Sequence, residues 1–334
     1  MELTKRMIYL KISLDDLLRP IQAELNSFQH HFEDSLKSHV FLINQVMKYV
    51  IAQKGKKMRP MLLLLSAKLN GECTEKTYAA ASLVEVLHTA TLVHDDVVDE
   101  AETRRGLPSI NSIWRNKISV LIGDYLFSKA LVKMVALKQP EMLELLASTA
   151  DKLVTGEIDQ IDRARSDTMT EATYYTMIEE KTASLVATGC KLGAMTTSED
   201  QEVWEALFEY GRNFGIAFQI KDDLFDFEGR ASSVGKPIGL DVKHNMKTLP
   251  IIYALEQAGS EKVREFKRQS KKGSDRVIKK YILDFINEYG GLEYTKQRLV
   301  HYSDIAKASL DMFPDSPVKH SMIQFIDFNI QREK

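Results

Sequence analysis

Cysteine is nearly absent from this chain: Cys73 and Cys190 are the only two in 334 residues. Two thiols cannot build a disulfide framework, which excludes the small stapled folds of secreted proteins and suits a reducing cytoplasm. Both stand at helical spacing among apolar residues and read as small buried side chains. Proline is scarce as well, with eight residues, so long stretches run without a backbone breaker. Neither sign of charge is in excess: Lys plus Arg total 45 and Asp plus Glu 47, for a net charge of −2. That balance gives no global attraction to nucleic acid or to an anionic membrane, and no nucleic-acid partner is expected. Long apolar runs are missing too. The richest, MLLLLSAKL from Met61 to Leu69, is too short to span a bilayer. The start, MELTKRMIYLKISLDDLLRP, is charged throughout and lacks the apolar core of a signal peptide. These absences predict a cytoplasmic protein without a transmembrane segment, though a hydrophobic product would bring it to a membrane surface.

What is present is helical periodicity. No strong alternating strand pattern or hairpin turn stands out. The spacing predicts helices over 13–27, 44–51, 60–69, 75–99, 119–137, 140–163, 170–196, 200–227, 247–258, 274–289 and 291–312. Pro60 and Pro140 are placed to open helices, and Thr170 and Asp200 to cap them. Breaks fall at Gly71–Cys73, Arg104–Ser109, Gly229–Asp241 and Lys271–Ser274. None resembles a flexible linker, so residues 1–334 read as one all-α domain.

Two copies of one acidic pattern stand on this background: DDVVD, Asp95 to Asp99, and DDLFD, Asp222 to Asp226. On a helix, positions i and i+4 share a face one turn apart. Asp95 and Asp99 therefore aim two carboxylates at one point, as do Asp222 and Asp226. Acidic pairs of this kind are common on solvated helix faces. Here, however, the neighbours are apolar: Ala90, Leu92, Val93, Val97 and Val98 around the first, Phe218, Ile220, Leu224, Phe225 and Phe227 around the second. Burying unpaired carboxylates costs several kcal/mol each, and a divalent cation offsets that cost. Magnesium prefers a few carboxylates together with substrate phosphates.

Basic residues accompany the acids. GKKMRP carries Lys56, Lys57 and Arg59, TRRG carries Arg104 and Arg105, an apolar helix contains Lys181–Thr182, and GKPIGLDVKHNMKT carries Lys236, Lys243 and Lys247. Arg forks and Lys ammonium groups both bind phosphate oxygens. The set suggests two phosphate groups held separately, one through metals and one by bare cations.

The segments GKKMRP, EVLHTATLVHDDVVDEAETRRGLPS, GDYLF, GEIDQ, EEKTASL, FQIKDDLFDF, GKPIGLD and KTLPIIYAL, running in that order from Gly55 to Leu255, resemble the trans-isoprenyl diphosphate synthase family. Within it the chain looks most like long-chain, octaprenyl-type synthases. The resemblance implies antiparallel helices around a deep cavity, usually in a homodimer. It implies three magnesium ions and two substrates, isopentenyl diphosphate and an allylic diphosphate. Asp95 and Asp99 would bind two ions, with Asp96 supporting, and Asp222 would bind the third, with Asp223 and Asp226 completing the motif. Arg104, Lys181 and Lys236 would clasp the allylic diphosphate. Lys56, Arg59, His88 and Arg105 would hold the diphosphate of isopentenyl diphosphate. Thr182 and Gln219 would turn oxygen dipoles toward a developing carbocation. The family's usual GGKRxRP reads KGKKMRP here, with Lys54 for a glycine and Lys57 for an arginine. His94, beside the acids, stands equally well as an outer partner or as a core residue, and Gln160 of GEIDQ is left without a role.

Residues four and five before Asp95 lie one turn deeper on its face. They are Thr91 and Ala90, too small to plug a tunnel running down between helices. Val86, Leu87 and Leu83 continue that face, and Phe127, Leu131 or Met134 would supply the floor. The pocket and the resemblance together predict a product of roughly six to nine isoprene units, suited to quinone side chains. A medium-chain synthase, a class I terpene cyclase, a non-catalytic subunit and a catalytic subunit needing an unrelated partner are the competing readings. The second DDxxD with Lys56, Arg59 and Arg105 argues against the cyclase, and six intact aspartates argue against a degenerate subunit.

Overall fold

The computed structural model describes residues 13–53, 55, 57–228, 247–270 and 272–332. Lys54, Lys56, Lys236 and Lys243 lie outside them. In chain order the helices are α1 (Leu14–Leu18), α2 (Gln22–Ser35), α3 (Phe41–Ala52), α4 (Met58–Asn70), α5 (Glu75–Val98), α6 (Ile110–Ala136), α7 (Pro140–Ser166), α8 (Glu171–Ile178), α9 (Ser184–Met195) and α10 (Gln201–Glu228). They continue as α11 (Leu249–Gln257), α12 (Ser260–Gln269), α13 (Asp275–Glu288), α14 (Gly291–Ala308) and α15 (Pro317–Gln331). One small antiparallel pair, β1 (Thr103–Arg104) and β2 (Leu107–Pro108), joins α5 to α6. The expected all-α class is what the chain adopts.

Local chemistry sets the helix starts. Thr170 and Thr173 form a capping box at α8, and Asp200 Oδ1 accepts from Glu202 N at 2.9 Å before α10. Pro140 is the first residue of α7. Pro60 is not the first of α4, which starts at Met58 because Lys57, at φ 45°, turns the chain into it. The predicted first helix is broken at Arg19–Ile21 by a 3-10 turn around Pro20. The helix expected from residue 119 begins at Ile110 and kinks at Arg115, where φ is 69°. Two helices escaped the periodicity reading, Ser260–Gln269 and Pro317–Gln331.

The core explains why α9 and the middle of α5 are mostly apolar. Along α5, Ala80, Leu83, Val84, Val86, Leu87 and Ala90 are all fully buried, and α9 is buried over nearly its whole length. Fully burying each Leu or Val contributes roughly 1.5–3 kcal/mol. Helix α6 packs along α5, α9 lies between α4 and α10, and α14 backs α10. The close approach of α10 to its neighbour depends on Gly215: a Cβ there would stand 2.6 Å from Ala183 Cα. Among the described residues no helix is long and apolar enough to cross a membrane.

The helix predicted over 170–196 is not uniform. Between α8 and α9 the residues Glu179–Ala183 form a π turn. This turn carries Lys181 and Thr182. Such bulges re-aim side chains and recur at functional sites.

Candidate active site

Both aspartate motifs sit at the C-terminal ends of long helices, α5 and α10. Helix C-termini carry free carbonyls and partial negative charge, which disfavours acids there. Neither helix has a basic residue in its last turn. Three aspartates at each such end therefore demand cations from elsewhere.

The outer and middle carboxylates of each motif are treated differently. Asp95 is half-buried and Asp99 is exposed at the helix cap, its N–H bonded to Asp95 O at 2.8 Å, which keeps it one turn above Asp95. Burial, with Glu157 nearby, pushes the Asp95 carboxyl up to about 6, against the pull of Lys181 and Arg104. Asp96 turns inward, 3% exposed, and accepts from Arg104 Nε at 2.6 Å. Asp223 turns inward likewise. Its Oδ2 accepts from Tyr174 OH at 2.6 Å and its Oδ1 from Gln219 Nε2 at 2.9 Å. Burial pushes it up to about 7 despite both bonds. Asp222 and Asp226 stay half-buried at the end of α10.

Lys181 and Thr182, neighbours on the π turn, serve the two motifs separately. Lys181 Nζ lies 2.5 Å from Glu157 Oε2 and donates to Gln160 Oε1 at 3.1 Å, on the Asp95 side. Thr182 Oγ1 donates to Gln219 Oε1 at 2.8 Å. Since Gln219 also donates to Asp223, its amide orientation is fixed: nitrogen toward the second motif, oxygen toward Thr182.

The cationic side is built around His88. Arg59 Nη1 contacts His88 Nε2 at 2.8 Å. Arginine only donates, so Nε2 accepts and a neutral ring carries its proton on Nδ1. Burial, with Arg59, Arg105 and Arg104 adding to it, holds His88 well below the usual imidazole range. Asp222 is among the charges acting on Arg59, which ties this cluster to the second motif. A cavity here is lined by Gly55, Lys57, Glu85, His88, Asp96, Arg104 and Arg105. Among the described residues, Glu85 Oε2 is buried there and Arg59 Nε is buried beside His88, each without a hydrogen-bond partner. The β1–β2 hairpin aims two of these arginines. Its two-residue turn, Arg105–Gly106, has φ of 54° and 78°, the left-handed pair that a tight hairpin needs. Arg104 is thereby returned to Asp96, and Arg105 lies against Gly55, where a Cβ would meet its guanidinium.

Several expectations are redirected. His94 faces α6, near Val120 O at 3.3 Å and Asp124 Oδ1 at 3.4 Å, rather than the aspartates. Lys247 is paired with Asp167, which Lys267 also reaches at 2.6 Å, so it fastens the end of α7. Lys57, while lining the cavity, lies over the Phe28 and Phe32 rings of α2. Leu131 is 53% exposed and points away from the interior, so it cannot floor a tunnel; Met134 is buried. Ala90, Val86 and Leu87 are fully buried, and Thr91 is part-buried with Oγ1 donating to His88 O at 2.9 Å.

Four side chains in this site were not singled out from sequence: Glu85, Glu157, Tyr174 and Arg332. Glu157 had a signal, since it lies three residues before Gln160 on one helical face. Arg332 comes from the far end of the chain and places Nη2 2.6 Å from Asp222 Oδ1.

Among the described residues no three His, Cys, Asp or Glu side chains gather into a protein-only metal cage. Paired carboxylates at a negative helix end, one with a proton affinity raised by burial, nevertheless fit magnesium, which takes its remaining ligands from phosphate and water.

Comparison with known proteins identifies relatives of the whole chain. The polyprenyl synthetase family model matches residues 40–285. Octaprenyl diphosphate synthase of Escherichia coli (strain K12) is 33% identical over 301 residues, covering 90% of this chain and 93% of that protein. A polyprenyl synthase from Caulobacter crescentus CB15, complexed with calcium and isoprenyl diphosphate, superposes with a TM-score of 0.88 at 33% identity, over 97% of this chain and 99% of that one. A decaprenyl diphosphate synthase from Rhodobacter capsulatus gives a TM-score of 0.89 at 32% identity, over 96% and 99%.

Proposed function

The chain belongs to the polyprenyl synthetase family, and on that premise we propose how its residues divide the work of lengthening an allylic diphosphate. It is a chain-elongating prenyltransferase that condenses isopentenyl diphosphate with an allylic diphosphate. The product proposed is a long all-trans polyprenyl diphosphate for quinone side chains.

The observation that carries the division of labour is the π turn, whose adjacent Lys181 and Thr182 serve opposite motifs. Lys181 and Arg104 hold the allylic diphosphate beside Asp95 and Asp99. Magnesium held by Asp95, Asp99, Asp222 and Asp226 would neutralise charge gathering on the departing diphosphate; three ions are proposed. Asp96 and Asp223 position the machinery, the first by fixing Arg104 and the second by fixing Gln219. The oxygens of Thr182 and Gln219 face the allylic carbon as positive charge develops. Arg59, Arg105 and neutral His88 hold the second diphosphate, together with Lys56. The double bond of isopentenyl diphosphate attacks the allylic carbon, and the proton then lost passes to the departing diphosphate. Apolar walls along α5 keep water from the cation.

A homodimer is also proposed. On α6, Leu121, Leu131, Val132 and Val135 are 54%, 53%, 66% and 66% exposed, and on α7 Val154 and Ile158 are 50% and 63% exposed. An apolar stripe of this extent on two neighbouring helices suits a covered face.

The test is to incubate the purified chain alone with radiolabelled isopentenyl diphosphate, farnesyl diphosphate and magnesium. Long prenyl chains are expected. Cyclised hydrocarbons would support the cyclase reading, and silence a requirement for a second subunit.

A further inference from the structure

The last described residue of the chain meets the second aspartate motif. Arg332 follows Gln331, the end of α15, with its N–H bonded to Phe328 O at 2.9 Å. This helix is firmly seated. Met322, Phe325 and Ile326 are fully buried, and Tyr210 OH of α10 donates to Met322 O at 2.9 Å. The guanidinium then reaches along one face of α10, where residues 218, 222 and 225 line up at helical spacing. Its centre lies 3.9 Å from the Phe218 ring centroid and 5.1 Å from that of Phe225. Nη2 donates to Phe218 O at 2.9 Å and stands 2.6 Å from Asp222 Oδ1. The side chain is only 7% exposed.

A nearly buried arginine with aromatic, carbonyl and carboxylate partners on one helix is an assembled contact rather than a surface ion pair. It also answers the electrostatic demand of that helix end. The final turn of α10 carries acids and no base, and the chain brings a cation from another helix to it.

We propose that Arg332 is a positioning residue of the second motif: an internal cation on Asp222 that weakens metal binding there. The reason is charge competition. A guanidinium and a divalent ion on one carboxylate oxygen repel each other in a partly desolvated site. Metal entry therefore requires the guanidinium to yield Oδ1, and the free energy of its contacts is subtracted from metal affinity. The inference rests on the second motif being a metal site.

The experiment is a Mn²⁺ titration followed by electron paramagnetic resonance, at a fixed concentration of inorganic diphosphate. Arg332→Gln is expected to bind metal about three- to tenfold more tightly, the scale of one charge-assisted contact. Arg332→Lys keeps the charge and is expected to stay near wild type. Should Arg332→Gln fail to fold, Arg332→Met, which keeps the length of the stem without the charge, carries the same comparison. A second readout is hydrogen exchange in the 325–332 peptide of the wild type, which should rise when metal and diphosphate are added. Unchanged or weaker metal binding on removing the charge, or exchange that does not rise, overturns the proposal. Wild type that binds metal while the variants match it overturns this inference alone. Wild type that binds no metal, with the same result for Asp222→Asn, overturns the metal-site reading as well.

Discussion

Tyr174 OH donates a 2.6 Å hydrogen bond to Asp223 Oδ2, so the helix before the π turn is joined to the second aspartate motif through one buried phenol. Asp223 in turn accepts from Gln219, which accepts from Thr182 on the π turn itself. The two ends of one bulged segment are therefore clamped to one helix of the opposite wall.

Tyr174→Phe removes the phenol and leaves a buried carboxylate with one bond fewer. Leaving a buried polar group short of a hydrogen bond costs on the order of 1–3 kcal/mol. A drop of that size in unfolding free energy is expected in urea denaturation. Turnover should fall with little change in the KM for isopentenyl diphosphate, because the altered group acts through Gln219 rather than on the cationic site. Unaltered stability would show that the bond contributes nothing net.

Asp95 makes the site sensitive to pH. Burial and Glu157 raise its carboxyl from 3.8 to about 6. Between roughly pH 4 and pH 6 the folded, metal-free chain thus holds a proton that the unfolded chain has lost. Its contribution to stability is largest at the acid end and is lost as pH rises across that window. Metal affinity runs the other way, rising as the proton leaves. Glu157→Gln should shift the midpoint of metal affinity against pH to lower pH. A midpoint that stays put in calorimetric titrations would remove Glu157 from this role.

Ala90 lies fully buried on α5, one turn before the first motif. Ala90→Tyr fills space that the growing tail is proposed to use. Shorter prenyl products are expected by chromatography, alongside a loss of about 1–3 kcal/mol from overpacking. An unchanged product distribution from a folded variant would place the tunnel elsewhere.

Val132 is 66% exposed at the centre of the apolar stripe on α6. Val132→Asp puts charge there without touching the core. If two copies meet on this face, sedimentation velocity should register a shift from dimer to monomer. A dimer that persists would move the interface to another surface.

The architecture was largely legible because periodicity reports burial directly. The predicted ends of α5, α7 and α10 lie within a few residues of the observed ones, since their apolar patterns are long and Pro140 and Asp200 mark two of the starts. The helix Pro317–Gln331, absent from the predicted set, does carry local signals: Ser316 caps it, Pro317 opens it, and Val318, Met322, Phe325 and Ile326 repeat at helical spacing. The π turn was not legible. Its residues, EEKTA, are ordinary helix formers, and the bulge arises from packing against α7 and α10, where Gly156 and Gly215 admit close contact. Within the site, spacing identified the paired aspartates but not their inward and outward division. That division depends on Tyr174, Gln219 and Arg104 arriving from other elements. Arg332 lies more than a hundred residues from Asp222, and no local pattern joins them.

A π turn is one residue more than a regular helix needs. Deleting a single residue between Glu179 and Ala183 would restore even hydrogen bonding through Glu171–Met195 and make the segment a better helix. It would also rotate Tyr174 about the axis by roughly 100° relative to α9, away from Asp223. Local regularity is thus at odds here with the contact between Tyr174 and Asp223. Insertions and deletions in this stretch should be far less tolerated than substitutions, because the spacing of the two clamped ends is a count of residues rather than a choice of side chains.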